Sequence, residues 1–442
     1  MNKTVLVSFA ILCLLSTVLL MGFALDIQLV KANGTVYIRS NGNVEGTDKI
    51  QRNGNIYTLT DNICGEIVVE KDNIVVDGAG CTVQGTGAYL SKGIYLLGRS
   101  NLTVRNTTIR NFWWGITLNS TSKVTLCENN IADTNGSGIM LDRSSHNSIS
   151  WNIIANNDGS GIYLGTAISF AEPPLSDYND ITENNITNNQ RGIYLDYSEE
   201  NSIVGNNITN NNYGIWLWHS SDYNSISGNN IVNNSWSGIY LSYSSNNKFW
   251  HNNFIDNTQQ VHYDSGYANF WDDGLEGNYW SNYTAVDYDH DGIGDSWHTI
   301  DENNEDHYPL MGLFSDLNAT SKHRVQTICN STISNFQFNG TAISFTVSGD
   351  NGTSGFCRIC IPTALMNDTY RVFVNGTEIL PSPEPLPCSN STYSYIYFNY
   401  THSTKEIIIV PGFPSLLLLQ LFMIITLLAV IAYRRKNSKV YS

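Results

Sequence analysis

Apolar residues recur at fixed spacing through the middle of the chain and divide it into units of about 22 residues. Each unit has three apolar anchors: a Gly-Ile pair, an Ile that usually follows Asn, and an apolar residue five positions before that Ile. The Gly-Ile pairs begin at Gly93, Gly115, Gly138, Gly161, Gly192, Gly214 and Gly238. The second anchors are Ile109, Ile131, Ile154, Ile186, Ile208, Ile231 and Phe254, and the third are Val104, Leu126, Ile149, Ile181, Ile203, Ile226 and Phe249. The constant offset indicates a structural repeat.

Each anchor predicts one short β-strand. In Gly-Ile-Tyr-Leu the apolar residues alternate, so we expect Ile94 and Leu96 to face inward and Tyr95 outward. Three strands make one triangular coil, which can bury its apolar side only by stacking on the next coil. The predicted fold class is therefore all-β, a right-handed parallel β-helix. Leucine-rich repeats do not fit, because the units lack helix formers.

Asparagines repeat with the same period in two registers. One comprises Asn147, Asn179, Asn201, Asn224 and Asn247, and the other comprises Asn130, Asn152, Asn185, Asn207, Asn230 and Asn253. A buried amide at a turn can hydrogen-bond to the same amide one coil above. We therefore expect structural ladders and assign these residues no catalytic role.

The segments around the repeat predict an exported, anchored protein. The predicted regions are a signal peptide (1–32), an N-terminal cap (33–66), the β-helix with a calcium-loop-like cap (67–316), a small β-sandwich stalk (317–405), a linker (406–415), a transmembrane helix (416–433) and a basic cytoplasmic tail (434–442). The apolar run after Lys3 is typical of a signal peptide. The apolar segment 416–433 precedes Arg434 and Arg435, which predicts that the body lies on the extracellular face of the cell membrane.

The negative net charge of the chain argues against one class of partner. The formal net charge is −16, and a protein that binds nucleic acid needs a basic surface, so we expect no nucleic-acid partner. Aromatic residues make up 12% of the chain, which favours a folded chain over a disordered one.

An acidic loop after the last unit predicts a structural Ca²⁺ site. Carboxylates alternate along it, and Gly292 allows a tight turn. The predicted ligands are Asp287, Asp289, Asp291, Asp295 and the carbonyl of Ile293. Position twelve is His298, so the closing Glu of an EF-hand is missing. The alternative is a solvated acidic turn.

The outward position of the Gly-Ile-x-Leu strand predicts an aromatic stripe. Its residues are Tyr95, Thr117, Met140, Tyr163, Tyr194, Trp216 and Tyr240. Sugars stack on Tyr and Trp rings, so the five aromatic residues are candidate carbohydrate ligands and extracellular glycans are candidate partners. The alternative is aromatic stacking that stiffens the solenoid.

Catalysis is the rival interpretation, and no catalytic residue is assigned. Asp142 and Asp196 stand in equivalent positions two coils apart, roughly 10 Å at the usual stacking distance, which is loose for acid–base chemistry. A polysaccharide lyase, epimerase or hydrolase therefore remains an alternative to a carbohydrate-binding or envelope protein.

Cysteines indicate disulfides in an oxidising exterior. Cys64 and Cys81 form one candidate pair. Cys329, Cys357, Cys360 and Cys388 form a late cluster that allows three connectivities. A zinc site made of these four is the alternative.

The repeated Asn-x-Ile and Gly-Ile-x-Leu units resemble the β-helix repeats of NosD-type and carbohydrate-binding/sugar-hydrolase (CASH) domains. That resemblance covers about residues 65–310 and also implies a copper-associated role, although the histidines are scattered. Pro411, Gly412 and Phe413, with the apolar segment and basic tail, resemble the archaeal PGF-CTERM sorting signal. That second resemblance implies an archaeosortase as a processing partner. Pro414 stands where family members commonly have Gly.

Overall fold

The computed structural model describes residues 34–166, 176–264, 267–366, 369–381, 386 and 388–412. Every element assigned within these residues is a β-strand. The strands from residue 36 to residue 280 wind into a right-handed parallel β-helix, which confirms the predicted solenoid. A search of the same residues for a helix able to cross a membrane found none. The predicted signal peptide, Phe413, transmembrane helix and basic tail lie outside the described residues.

Three parallel sheets, named faces A, B and C, form the sides of the solenoid. Face A contains Val36–Ile38, Val44–Glu45, Ile67–Val69, Lys92–Leu97, Trp114–Asn119, Ile139–Asp142, Ser160–Gly165, Arg191–Asp196, Tyr213–Trp218, Ser237–Ser242 and Gln259–Tyr263. Face B contains Ile50–Asn53, Ile56–Leu59, Val75–Asp77, Ser100–Arg105, Ser122–Cys127, Ser148–Ser150, Asp180–Thr182, Ser202–Val204, Ser225–Ser227 and Lys248–Trp250. Face C contains Ile63–Cys64, Thr82–Gln84, Thr108–Arg110, Asn130–Ala132, Ile153–Ala155, Asn185–Thr187, Asn207–Thr209, Asn230–Val232, Asn253–Ile255 and Tyr279–Trp280.

The core consists of like residues stacked on like residues. Ile193 pairs with Ile162 below and Ile215 above, and all three side chains are fully buried. The Gly of each Gly-Ile pair lies where the backbones approach closely. A Cβ added to Gly192 would lie 2.5 Å from the carbonyl oxygen of Gly214. The repeating Gly-Ile pair therefore reflects a steric requirement of the coil as well as its hydrophobic pattern.

Buried asparagines form ladders inside the turns. The first predicted register is confirmed. In the second, Asn152 is confirmed, but the other predicted members are displaced by one residue. Its continuous ladder runs through Asn129, Asn152, Asn184, Asn206, Asn229, Asn252 and Asn278. Asn185 and Asn207 instead point outward and are exposed. A third ladder, which the sequence analysis did not predict, runs through Asn157, Asn189, Asn211, Asn234 and Asn257.

The segment predicted as an N-terminal cap already contains a coil. Val36–Ile38, Ile56–Leu59 and Ile63–Cys64 each pair in parallel with the strand of the following coil. Only the antiparallel strands Val44–Glu45 and Ile50–Asn53 lie outside that pattern. The first coil lacks a Gly-Ile pair, so its strands did not match the repeat.

Residues 267–312, here named the closing segment, cover the last coil. Trp271 and Trp280 are buried there and stack on Phe249 and Phe254, with ring centroids 4.3 Å apart in both pairs. A hairpin follows, formed by the antiparallel strands His298–Asp301 and Asn304–Asp306. Aromatic side chains thus fill the end of the core that another coil would otherwise cover.

Two antiparallel sheets follow the solenoid. One contains Leu313–Asn318, Arg324–Cys329, Ser354–Pro362 and Tyr393–Thr401, and the other contains Thr332–Phe338, Ile343–Ser348, Lys405–Pro411, Tyr370–Val374 and Thr377–Ile379. Apolar side chains of both sheets pack into one cluster. Most of the predicted linker is part of a strand, because Ile407 and Ile409 are buried in that cluster and Pro411 pairs with Tyr370.

A buried ion-pair network joins the solenoid to these sheets. His251 Nε2 lies 2.7 Å from a carboxylate oxygen of Glu276, and Arg358 Nη2 lies 2.9 Å from its other oxygen. The side chains of Arg358 and Glu276 are only 3% and 10% exposed. The His251 ring also stacks on Phe314, 4.0 Å between centroids.

Candidate functional site on the outer surface of face A

The aromatic residues predicted on the outside of face A do align in one row. Tyr163 pairs in register with Tyr194, Tyr194 with Trp216, and Trp216 with Tyr240. Ring centroids of successive residues are 5.0, 5.4 and 4.5 Å apart, and His262 continues the row 4.9 Å beyond Tyr240. Tyr95 lies apart from this row, because Thr117 and Met140 occupy the two coils between.

These rings are less exposed than the sequence predicted. Tyr240 is only 8% exposed, and Tyr163, Tyr194 and Trp216 are half-buried. Tyr163 and Tyr194 are stacked, with 18° between their ring planes, whereas Tyr194–Trp216 and Trp216–Tyr240 are tilted by 51° and 47°. Neighbouring rings therefore shield parts of each other's faces. A ligand can therefore contact the edges of the row and the groups beside it, but not every ring face.

Carboxylates lie beside the row at the end of the face A strands. The Tyr163 hydroxyl donates to Asp196 at 3.3 Å, and the Tyr240 hydroxyl donates to Asp264. His219 Nδ1 lies 3.0 Å from the other oxygen of Asp196. Burial and the Asp196 carboxylate raise the pKa of Tyr163, which keeps its hydroxyl protonated. Asp142, in the equivalent position two coils below Asp196, is buried and accepts a hydrogen bond from Asn119.

A notch opens at the other end of the same strands. Its volume is about 230 Å³, and it is lined by Trp114, Ser137, Met140, Gly159, Ser160, Tyr163, Arg191 and Tyr194. The small residues Ser137, Gly159 and Ser160 leave the space, while Trp114 and Tyr194 provide aromatic walls. Neither Trp114 nor Arg191 was predicted as a site residue. Both directly precede a Gly-Ile pair, a position that the repeat leaves variable.

The acidic loop gathers three of its four predicted aspartates. Carboxylate oxygens of Asp287, Asp289 and Asp295 all lie within 4.8 Å of one another. Asp291 is not in this group, and its carboxylate accepts a hydrogen bond from the backbone N–H of Ile293 at 2.8 Å. Ile293 itself forms a β-bridge with Leu310, which ties the loop to the chain beyond it. Calcium binding stays a prediction.

The cysteine candidates are free thiols in the structure. Cys64 and Cys81 are half-buried. Cys329 lies directly opposite Cys357 on neighbouring antiparallel strands, and a hydrogen bond from Cys357 lowers the pKa of the Cys329 thiol. Among the three connectivities, this register favours a Cys329–Cys357 pair, which would leave Cys360 with Cys388. Disulfide formation stays a prediction.

Two protein families match the solenoid. Residues 35–172 match the right-handed β-helix region, and residues 174–285 match the family described as periplasmic copper-binding protein (NosD). The chain is similar to NosD-type right-handed β-helix repeat proteins. No curated protein matched the chain.

Solved structures similar to the solenoid have low sequence identity to it. The Dettilon tailspike protein is 16% identical with a TM-score of 0.42, over 80% of this chain and 72% of that one. The periplasmic alginate epimerase AlgG is 17% identical with a TM-score of 0.36, over 53% and 72%. The AlgE6 A-module, a mannuronan C-5 epimerase of Azotobacter vinelandii, is 12% identical with a TM-score of 0.35, over 56% and 92%. Their activities are properties of those proteins.

The copper in the NosD family description directs attention to the histidines of this chain. Each of three histidines contacts its own carboxylate: His219 contacts Asp196, His251 contacts Glu276, and His262 contacts Asp264. Within the described ranges, the group of side chains close enough to share one metal ion is the aspartate group of the acidic loop. The histidines are therefore as scattered in space as they are in sequence.

Proposed function

We propose that the outer surface of face A binds a carbohydrate. The observation that carries the proposal is the notch between Trp114 and Tyr194, which continues directly into the aromatic row. Binding sites for small molecules combine apolar walls with a few polar groups, and here Arg191, Ser137 and Ser160 are the polar residues of the lining. Since the rings of the row shield one another, the notch offers an inserted sugar the ring of Trp114, which lies outside the row.

A glycan array followed by affinity electrophoresis tests the proposal. Trp114→Ala and Tyr194→Ala should each weaken retention on the bound glycan at least tenfold, with a small change in melting temperature. Trp151→Ala is the matched control, because Trp151 is 59% exposed at a turn away from face A. Equal retention of all three variants and the wild type would refute binding at this surface.

A polysaccharide-acting enzyme is the second candidate. The observation that favours it is Asp196, which contacts both the Tyr163 hydroxyl and His219 beside the row. A carboxylate can orient an imidazole for proton transfer. Reducing ends or unsaturated products released from a bound glycan, and lost in His219→Gln, would support this candidate over simple binding.

We further propose that the protein is exported and held at the cell surface. The apolar segments at both ends, the basic tail and the Pro411-Gly412-Phe413 sequence support this proposal. The two antiparallel sheets would then form a β-sandwich stalk between the anchor and the solenoid. Intact-mass analysis of protein from native membranes tests it, since removal of either terminal segment changes the mass by a calculable amount.

A further inference from the structure

Arg191 stands out among the arginines of the described residues because it pairs with no carboxylate. Every other one forms an ion pair, except Arg52, which donates to the carbonyls of Gly54 and Gly42. The net charge of the chain is −16, so acidic partners are plentiful. Asp196 lies on the same strand but five residues away, roughly 16 Å along extended chain. Arg191 is therefore a cation placed without a protein counter-charge.

Aromatic rings hold the Arg191 side chain in place. Its guanidinium carbon lies 5.0 Å from the ring centroid of Tyr194 and 4.5 Å from that of Trp216. Nη1 donates to the side chain of Gln190 at 3.2 Å, and the buried Nε has no hydrogen-bond partner among the described residues. Stacking on rings fixes the plane of a guanidinium and leaves its edge, where the N–H donors lie, free for a ligand.

The notch beside Arg191 has the dimensions of a single sugar subsite. Its volume of about 230 Å³ is below the roughly 300–1,000 Å³ of sites for drug-sized ligands. Arg191 is one of the lining residues, together with Trp114 and Tyr194. A planar fork of N–H donors matches the two oxygens of a carboxylate better than it matches a hydroxyl.

We propose that this notch binds a uronic acid residue of an acidic polysaccharide, with the sugar carboxylate on Arg191. The inference rests on the proposed carbohydrate binding and adds the substrate class. Asp196 and Asp264 lie at the far end of the strands, so the surface is cationic at the notch and anionic beyond the row. We expect this charge distribution to orient a bound polysaccharide so that the carboxylate of one sugar lies in the notch and away from the two aspartates.

Affinity electrophoresis on matched polymers tests the inference with the full protein. The probes are polygalacturonate, polymannuronate and polyguluronate, each beside its carboxyl-reduced neutral form, with a sulfated dextran as a further anion. We expect at least tenfold stronger retention on one uronate polymer than on its reduced form. Arg191→Met keeps the apolar stem against Tyr194 and Trp216, and it should abolish that preference. Arg110→Met is the control, because Arg110 lies on face C and is exposed.

The outcomes separate the inference from the function on which it rests. Retention on the neutral polymers that depends on Trp114 and Tyr194, with no preference for the acid form, overturns the uronate assignment and leaves carbohydrate binding intact. Retention on sulfated dextran equal to that on the uronate polymer would show that any anion suffices, and it would overturn the assignment of a carboxylate ligand to Arg191. A preference that persists in Arg191→Met overturns the role of Arg191. If no polymer, charged or neutral, retains the protein, both proposals fail.

Discussion

The repeating coils and the closing segment satisfy the hydrogen bonds of their buried asparagines in different ways. In the coils, each buried Asn amide accepts hydrogen bonds from the coil below and donates to the coil above, as Asn206 does between Asn184 and Asn229. In the closing segment the next coil is missing. The ladder through Asn278 ends there on the carboxylate of Asp306, and the one through Asn269 ends on Asn304, which donates to Asp301.

This difference shows that each polar ladder needs a terminator that the repeat does not supply. Every Asn in a ladder has N–H groups to donate, so the last one must meet an acceptor. Two ladders reach the carboxyl groups of Asp306 and Asp301, and the third ends on the side-chain oxygen of Gln260. Repetition makes each coil self-consistent, whereas the end requires residues that appear once.

The largest effect is expected from breaking a ladder inside the coils. Asn206→Ala removes the acceptor of the Asn184 backbone and side-chain N–H groups and the donor to the Ile181 carbonyl. Each buried unsatisfied group costs about 1–3 kcal/mol, so we expect a loss of roughly 4 kcal/mol or more in the free energy of unfolding. Urea denaturation measures it.

The neighbouring asparagine provides the matched control. Asn207 has the same side chain but is exposed and makes one hydrogen bond to Asn185. Asn207→Ala should therefore cost under about 1 kcal/mol. Similar losses for the two variants would contradict the importance of the buried ladder.

The second effect concerns the terminator and depends on pH. Burial raises the pKa of Asp306 to about 7, although the N–H groups of Trp280, Asn278 and Tyr308 act in the opposite direction. Between about pH 4, which is the ordinary pKa of an aspartate, and pH 7, Asp306 holds a proton in the folded protein and releases it in the unfolded chain. The contribution of Asp306 to stability is thus complete at low pH and is lost as the pH rises to 7, by about 1.4 kcal/mol per unit.

Comparison with Asp306→Asn isolates this contribution, since the amide cannot titrate. Denaturation at a series of pH values from 4 to 8 should show the wild type losing stability relative to the variant as the pH rises. Glu302→Gln, on the turn of the same hairpin, controls for the loss of one negative charge. A constant difference between wild type and Asp306→Asn across that range would contradict the raised pKa.

The same contrast explains what the sequence could and could not predict. The period fixes which Ile and Leu face inward, because a wrong register would expose all of them. It does not fix the Asn register where two asparagines are adjacent, as at Asn206 and Asn207, since either could be the buried one. Arg191 was missed because Trp216 is brought to it by strand pairing and because the position before the Gly-Ile pair varies between units.

The boundaries at the two ends were missed for a related reason. The first coil has no Gly-Ile pair, and the strand Lys405–Pro411 is apolar at four successive positions, which resembles the approach to the following apolar segment. Unique contacts, such as that of Ile409 with the cluster between the two sheets, decide these segments. Such contacts occur once in the molecule, so no repeating sequence pattern predicts them.

The smallest effect is expected from calcium at the acidic loop of the closing segment. The carboxylates of Asp287, Asp289 and Asp295 converge, and oxygen ligands of this kind suit Ca²⁺. A ligand at ten times its dissociation constant stabilises the folded state by about 1.4 kcal/mol, so millimolar Ca²⁺ should raise the melting temperature by a few degrees. Asp289→Asn should remove this effect. Asp291→Asn should retain it, because an Asn oxygen can still accept the hydrogen bond from Ile293. If Asp291→Asn also removes the effect, the ligand set predicted from the sequence, which includes Asp291, is the correct one. If Ca²⁺ does not change the melting temperature of the wild type, the loop is a solvated turn. The closing segment is then held by Asp306 and its tryptophans alone.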